Sequence, residues 1–196
     1  MFTGIIQAVG RVRELRLAER AAHLVIATGK LDLGDVEIGD SIAVNGICLT
    51  VTELLPGAFA ADVSPETIAC TAGFESAAAV NLEKALLLSD RLGGHLVTGH
   101  VDDVGTVVQF EPVDDNRLLA VRMPADLGRY VARKGSITVN GVSLTVNEVE
   151  SDVLRVNLIP HTLAETNLGG LHTGARVNLE VDLIARYIER MLGERQ

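Results

Sequence analysis

The chain has 196 residues, 47% hydrophobic and 22% charged, which is enough apolar surface for two modest cores and unlike a disordered segment. A net charge of −9, no Trp and only 3% aromatic residues leave neither a basic face to follow phosphates nor a platform to stack bases, which argues against nucleic acid as a partner. No run approaches the roughly eighteen apolar residues of a membrane span, and the start MFTGIIQAVG has no basic stretch ahead of an apolar one, so the expectation is a cytoplasmic protein that keeps Cys48 and Cys70 as thiols.

Along the chain, Leu24 to Ala27 is the first short alternating run. From Ser41 to Thr52, Ile42 and Val44, then Ile47, Leu49 and Val51, alternate with polar or small residues on either side of Asn45-Gly46. That pattern predicts a β-hairpin, because Asn-Gly supplies the two positive-φ residues a tight primed turn needs. Val104 to Val108 and Leu118 to Val121 follow, then a second hairpin about Asn140-Gly141, then Val153 to Leu158. Gly, Pro and Asp punctuate these runs at intervals typical of small barrels or sandwiches. Only the tail differs: Ile184, Tyr187, Ile188 and Met191 fall on one face of a helix, which needs either the barrels or the same helix of another subunit to lie against.

The two hairpins are copies. SIAVNGICLTV from Ser41 and SITVNGVSLTV from Ser136 agree at eight of eleven positions, offset by 95. Thr3-Gly4 returns at that offset as Thr98-Gly99, Gly10 as Gly105, and DVSPET from Asp62 faces NLIPHT from Asn157. VNLE from Val80 recurs from Val177 after a two-residue slip. A period this long exceeds the ~20 to 50 residues of solenoid repeats and describes two tandem domains. The expected division is 1–95 and 96–182, with 183–196 as the terminal helix.

Strand alternation puts Cys48 and Thr50 on one face, opposite Ile47, Leu49 and Val51, and gives Ser143 and Thr145 the equivalent face in the second copy. A polar strand face in water would read the same way, but the arrangement occurs twice in register. GGHLVTGHVDDVG carries His95 and His100 among glycines that allow a backbone close to a ligand. His-x4-His without a third ligand is poor evidence for zinc, and neither dinucleotide nor P-loop spacing is present. His100 stands where the first copy has Ile5, which places a proton-moving group in one copy alone; a histidine packed at a barrel mouth is the structural alternative. Two similar pockets with unequal polar groups point to two similar ligands doing unequal work.

These motifs, MFTGII, NGICLTV with NGVSLTV, SPET with IPHTLAETNLG, GGHLVTGHVD and GARVNLEVD, resemble riboflavin synthase of the α-chain type over essentially the whole chain. The resemblance implies an all-β fold of two six-stranded Greek-key barrels related by internal duplication, plus a C-terminal α-helix that assembles a homotrimer. It implies no cofactor or metal, two lumazine substrates per active site, a four-carbon transfer between them that yields riboflavin, and lumazine synthase as a candidate partner. Carried over by position, the first pocket comprises Gly4, Ile5 and Ile6, Cys48, Leu49 and Thr50, and Asp62, Val63, Ser64, Pro65, Glu66 and Thr67. The second comprises Gly99, His100 and Val101, Lys134, Ser143, Leu144 and Thr145, and Asn157, Leu158, Ile159, Pro160, His161 and Thr162. Cys48, His100, Ser143, Thr145 and Asp182 are the candidates for chemistry. Ala69 and Cys70 depart from relatives that commonly carry a basic residue there, and Asp103 from a small one. A lumazine-binding antenna protein and a flavin reductase are the rival readings of the same barrel.

Overall fold

The computed structural model describes residues 1–17 and 21–193. In the first half, β1 (Ala8–Leu17), β2 (Ala22–Ala27), β3 (Ser41–Val44), β4 (Ile47–Leu55), β5 (Ala58–Val63) and β6 (Ala79–Lys84) form a closed barrel in the order β1-β2-β5-β4-β3-β6. Period-two alternation closes it. Ile47, Leu49 and Val51 of β4 point inward to meet the fully buried Leu24, Ile26, Ile42, Phe59 and Leu82, each worth about 1.5–3 kcal/mol of burial. Asn45 and Gly46 turn the hairpin with φ of 49° and 81°, as the sequence predicts. α1 (Pro65–Cys70) follows β5. Its start is written in the chain: Ser64 Oγ accepts from Thr67 N at 3.0 Å and Pro65 opens the helix, where a missing N–H costs nothing.

The second half repeats this plan with one difference. β7 (Asp103–Val113), β8 (Asn116–Arg122), β9 (Ser136–Val139), β10 (Val142–Thr145), β11 (Glu148–Glu150), β12 (Val153–Leu158) and β13 (Arg176–Val181) form a seven-stranded sheet in the order β10-β9-β13-β7-β8-β12-β11. β10 and β11 together stand for β4, so this is the first barrel's circular order opened along one strand. The opening lies where β4 carries a bulge, between Val51 and Glu53. Asn147, the counterpart of Thr52, takes the Asn157 N–H on its own Oδ1 at 3.0 Å, so a side chain replaces a ladder bond there. α2 (Pro160–Glu165) and α3 (Leu183–Gly193) complete the described chain; the last three positions of the expected terminal helix, 194–196, lie outside the described residues.

A local two-fold relates the halves. Phe2 and Val97, 95 residues apart, pair with each other through Phe2 N to Val97 O at 2.8 Å and Val97 N to Phe2 O at 3.1 Å. With Ala43 they form a small core over the outer face of the first hairpin, against which Cys48 packs. The hairpin tips are cross-bonded by buried asparagines. Asn45 and Asn140 accept from the backbones of Asn81 and Asn178, both at 2.9 Å, while Asn81 Nδ2 donates to Asn140 O at 2.9 Å and Asn178 Nδ2 to Asn45 O at 3.0 Å. Asn45 and Asn140 thus accept within their own half, while Asn81 and Asn178 donate across to the other, so each of these side chains has the partner that buried polar groups require.

Candidate functional site

The polar groups converge at two places, each built from both halves. Thr3-Gly4 and Thr98-Gly99 make equivalent turns. Glu83 Oε1 accepts from Thr3 N at 2.7 Å and Thr3 Oγ1 at 2.6 Å, and its Oε2 from Gly4 N at 3.0 Å. Glu180 holds Thr98 and Gly99 with the same three bonds, at 2.7, 2.6 and 3.0 Å. Burial pushes both carboxyls above the ordinary carboxylate range, opposed by these donors, which favour the anion. The charge of His100 further opposes the rise at Glu180.

Each clasped turn then crosses to the other half. Gly4 O accepts from Ser143 N at 2.8 Å, and Gly99 O accepts from Cys48 N at 2.8 Å. Glycine is required at both: φ is 76° and 80°, and a Cβ would lie 2.6 Å from that of Ser143 or Cys48. The sequence-based grouping is therefore corrected. Gly4, Ile5 and Ile6 belong with Ser143 and the second core, on which Ile6 packs; Gly99, His100 and Val101 belong with Cys48 and the first core, on which Val101 packs. The offset of 95 marks which segments are equivalent but not which touch.

Around Cys48 lies a cleft of about 370 Å³, lined by Ile47, Glu66, Thr67, Cys70 and Thr71 of the first half and by Gly99, His100, Val101 and Asp102 of the second. Cys48 is half-buried and, like Cys70, a free thiol. His100 is exposed, its backbone N bonded to Thr98 Oγ1 at 3.3 Å. Around Ser143 gather Gly4, Gly94 and His95, whose Nδ1 lies 2.8 Å from Ser143 Oγ.

The remaining candidates are distributed as the strands dictate. Leu49, Val63, Leu144 and Leu158 bury their side chains in the two cores, which leaves only their backbone for a ligand. Thr50, Thr145, Pro65, Ile159, Pro160 and His161 are exposed, and Thr162 O takes the Thr166 hydroxyl at 2.7 Å. Asp62 pairs with His23 at 3.2 Å. Lys134 is exposed with φ of 68° where the first copy has Gly39 at 101°. Asp182 Oδ1 accepts from Ile184 N at 2.9 Å, at the entry of α3. Glu83, Glu180 and Phe2 were not among the candidates, although the repeated VNLE carries both glutamates. Among the described residues no group of three or more His, Cys, Asp or Glu is placed to hold a metal ion.

Comparison with known proteins agrees with this doubled construction. The lumazine binding domain family matches twice, at residues 3–85 and 98–182. Riboflavin synthase of Photobacterium leiognathi is 46% identical over 98% of this chain and 89% of its own length. That of Mycobacterium bovis is 46% identical over 98% of both chains, and that of Bacillus subtilis 42% identical over 98% and 90%. Among solved structures, LumP complexed with riboflavin superposes with a TM-score of 0.85 at 30% identity, covering 92% of this chain and 99% of that one. LumP complexed with 6,7-dimethyl-8-(1'-D-ribityl) lumazine gives 0.82 at 29% identity over the same shares.

Proposed function

The chain belongs to the riboflavin synthase family, and from that membership we propose that it catalyses dismutation of two 6,7-dimethyl-8-ribityllumazine molecules. One molecule gives up a four-carbon unit to the other, leaving riboflavin and 5-amino-6-(ribitylamino)uracil; the activity is that of a transferase. The observation that carries this reading is the pair of crossed half-sites. They share one backbone plan but present Cys48 with His100 in one and Ser143 with His95 in the other. A reaction between two copies of one substrate needs the same pocket twice, and then a difference between donor and acceptor.

The substrate supplies its own reactivity, because the carbanion formed at its 7-methyl group delocalises into the pteridine. The protein is left with stacking and proton transfer. Holding two rings face to face can supply about 7–11 kcal/mol of the barrier, and positioned acids and bases about 10²–10⁴-fold more. In this reading Cys48 acts as nucleophile or proton carrier, His100 moves protons beside it, Ser143 and Thr145 bind and orient the second ring, and Asp182 polarises that half-site. Residues 1–95 and 96–182 are the two lumazine-binding units, and 183–196 joins subunits into a homotrimer in which the first unit of one chain faces the second unit of a neighbour. A cytoplasmic location and contact with lumazine synthase belong to the same reading; no helix among the described residues is long and apolar enough to cross a membrane.

The test is to incubate the purified protein with the lumazine alone and follow riboflavin fluorescence. One riboflavin should form per two lumazines consumed. Tight binding without turnover would overturn the enzyme reading and leave a chromophore-binding protein, the reading that the similarity to LumP favours.

A further inference from the structure

We propose that His95 is a positioning residue of the second half-site, accepting the Ser143 hydroxyl proton at Nδ1 so that Ser143 Oγ can take a proton from the bound lumazine. This rests on the dismutation reading, and it places a second proton-transfer device away from His100.

The geometry singles out this histidine. The duplication does not account for it, since the offset of 95 gives it no counterpart. It is 8% exposed, and its backbone N donates to Thr3 O at 3.1 Å, which ties it to the same turn that presents Gly4 O to Ser143. Gly94 presses on the serine from the other side: a Cβ there would lie 2.8 Å from both Cβ and Oγ of Ser143. The hydroxyl is thus confined between Gly4, Gly94 and the imidazole, with Nδ1 at 2.8 Å. Nε2 is buried and, among the described residues, is the one buried side-chain polar atom without a hydrogen-bond partner. An unpaired buried ring nitrogen costs stability, and its retention beside a reactive hydroxyl is what a proton-transfer role accounts for.

Burial lowers the proton affinity of the ring, so it is neutral at neutral pH, while the nearby Asp182 carboxylate opposes that shift. Asp182 is the charge that bears on it; its other neighbours named above are the Ser143 hydroxyl and the Thr3 carbonyl. A neutral ring offers one acceptor and one donor. With Nδ1 accepting from Ser143, Nε2 carries the hydrogen. In the step itself a C–H bond of the substrate's 7-methyl group breaks and its electron pair enters the pteridine. That proton passes to Ser143 Oγ as the serine proton passes to Nδ1, and Asp182 stabilises the resulting imidazolium. The return transfer restores both groups when the product is reprotonated, so no oxidant or further reactant is involved.

The experiment compares wild type, His95→Asn, Ser143→Ala and the double variant. Asn keeps a polar atom near the Nδ1 position and so preserves a merely structural contact with Ser143, but it cannot take a proton. His95→Asn is expected to lower kcat about 10²-fold with KM changed less than about twofold. It should also abolish the acid limb of the wild-type pH–rate profile, and the double variant should be little slower than either single one. In wild type, nitrogen NMR of the labelled ring should show Nε2 protonated and Nδ1 bare at neutral pH, a measurement that stands even where a variant fails to fold. Full kcat in folded His95→Asn, or a ring with its hydrogen on Nδ1, overturns the inference. A wild-type protein that makes no riboflavin overturns the dismutation reading instead.

Discussion

Cys48 and Ser143 occupy the same strand position in two copies of one hairpin, and the backbone N–H of each donates to the crossing turn of the other half, to Gly99 O and Gly4 O respectively, at 2.8 Å. Because that bond is made by the backbone, Cys48→Ser should leave fold and flavin binding intact and lower kcat by about tenfold or more through loss of the softer nucleophile. Stopped-flow turnover with parallel fluorescence titration checks it. His100→Gln should likewise cost kcat, by about 10²-fold, far more than affinity; a change confined to KM removes His100 from proton transfer. His95 gives a pH signature. Its folded-state proton affinity lies below the ordinary value of 6.5, so the stability linked to it is present above that pH and is lost as pH falls below it toward the folded value. Glu83 and Glu180 act in the opposite sense: raised above 4.5, they contribute stability that is present at low pH and lost as pH rises through their folded-state range. Urea unfolding between about pH 7.5 and 5.5 should therefore show a decline that is smaller in His95→Asn. Cys48, His100 and Ser143 were legible because alternation and duplication compare them directly. The two glutamates were printed twice in VNLE yet read only as a mark of register. Their role depends on strands β6 and β13 bringing them under turns about 80 positions away.

The Thr-Gly turns show how little material holds the half-sites. Glu180→Ala would strip one turn of its only carboxylate and leave three donors, two of them backbone, without their acceptor. At about 1–3 kcal/mol per orphaned buried group, a loss of about 3 kcal/mol or more in denaturant unfolding is expected, with turnover falling in the same variant. α3 is held differently. Glu189 takes the Tyr130 hydroxyl at 2.6 Å and Arg129 at 2.7 Å, and Arg186 pairs with Asp102 at the cleft. Its apolar residues Ile184, Tyr187, Ile188 and Met191 stay 53–67% exposed, so polar contacts fix the helix on its own barrel and leave its apolar stripe uncovered. Truncation after Asp182 should give smaller species in sedimentation and little activity, partly because Asp102, with a 6% exposed side chain, loses its counter-charge. An intact trimer after truncation would exclude the helix from assembly. Hairpins and helix were readable from periodicity and Asn-Gly turns. α1 and α2 were not, since six residues are too few for a helical period to show, although Ser64-Pro65 carries a start signal. The opening between β10 and β11 depends on one asparagine side chain that no pattern distinguishes.

At the level of the molecule, the duplication and barrel class followed from the repeat, whereas the exchange of turns between halves did not, because an offset records equivalence and never contact. That exchange sharpens what a half-chain should do. Residues 1–95 contain the first barrel and Cys48 but not Gly99, His100 and Val101, which wall its cleft. The fragment should bind riboflavin only as it pairs with itself, one copy's Gly4 standing in for Gly99, so that affinity declines on dilution in step with the dimer seen by sedimentation. It should form no riboflavin, because Ile5 replaces His100 and Cys48 replaces Ser143 in such a pair. A monomeric half that binds as well as the full chain would refute the crossed arrangement. The same crossing bears on ancestry. In a pair of identical chains every substitution appears in both clefts at once, so a cysteine cannot be kept in one while a serine is tried in the other. Joining the copies into one polypeptide holds the partners together at an effective concentration of about millimolar. It also lets each cleft mutate alone, and that independence is the condition under which a giver and a taker of carbon could become different.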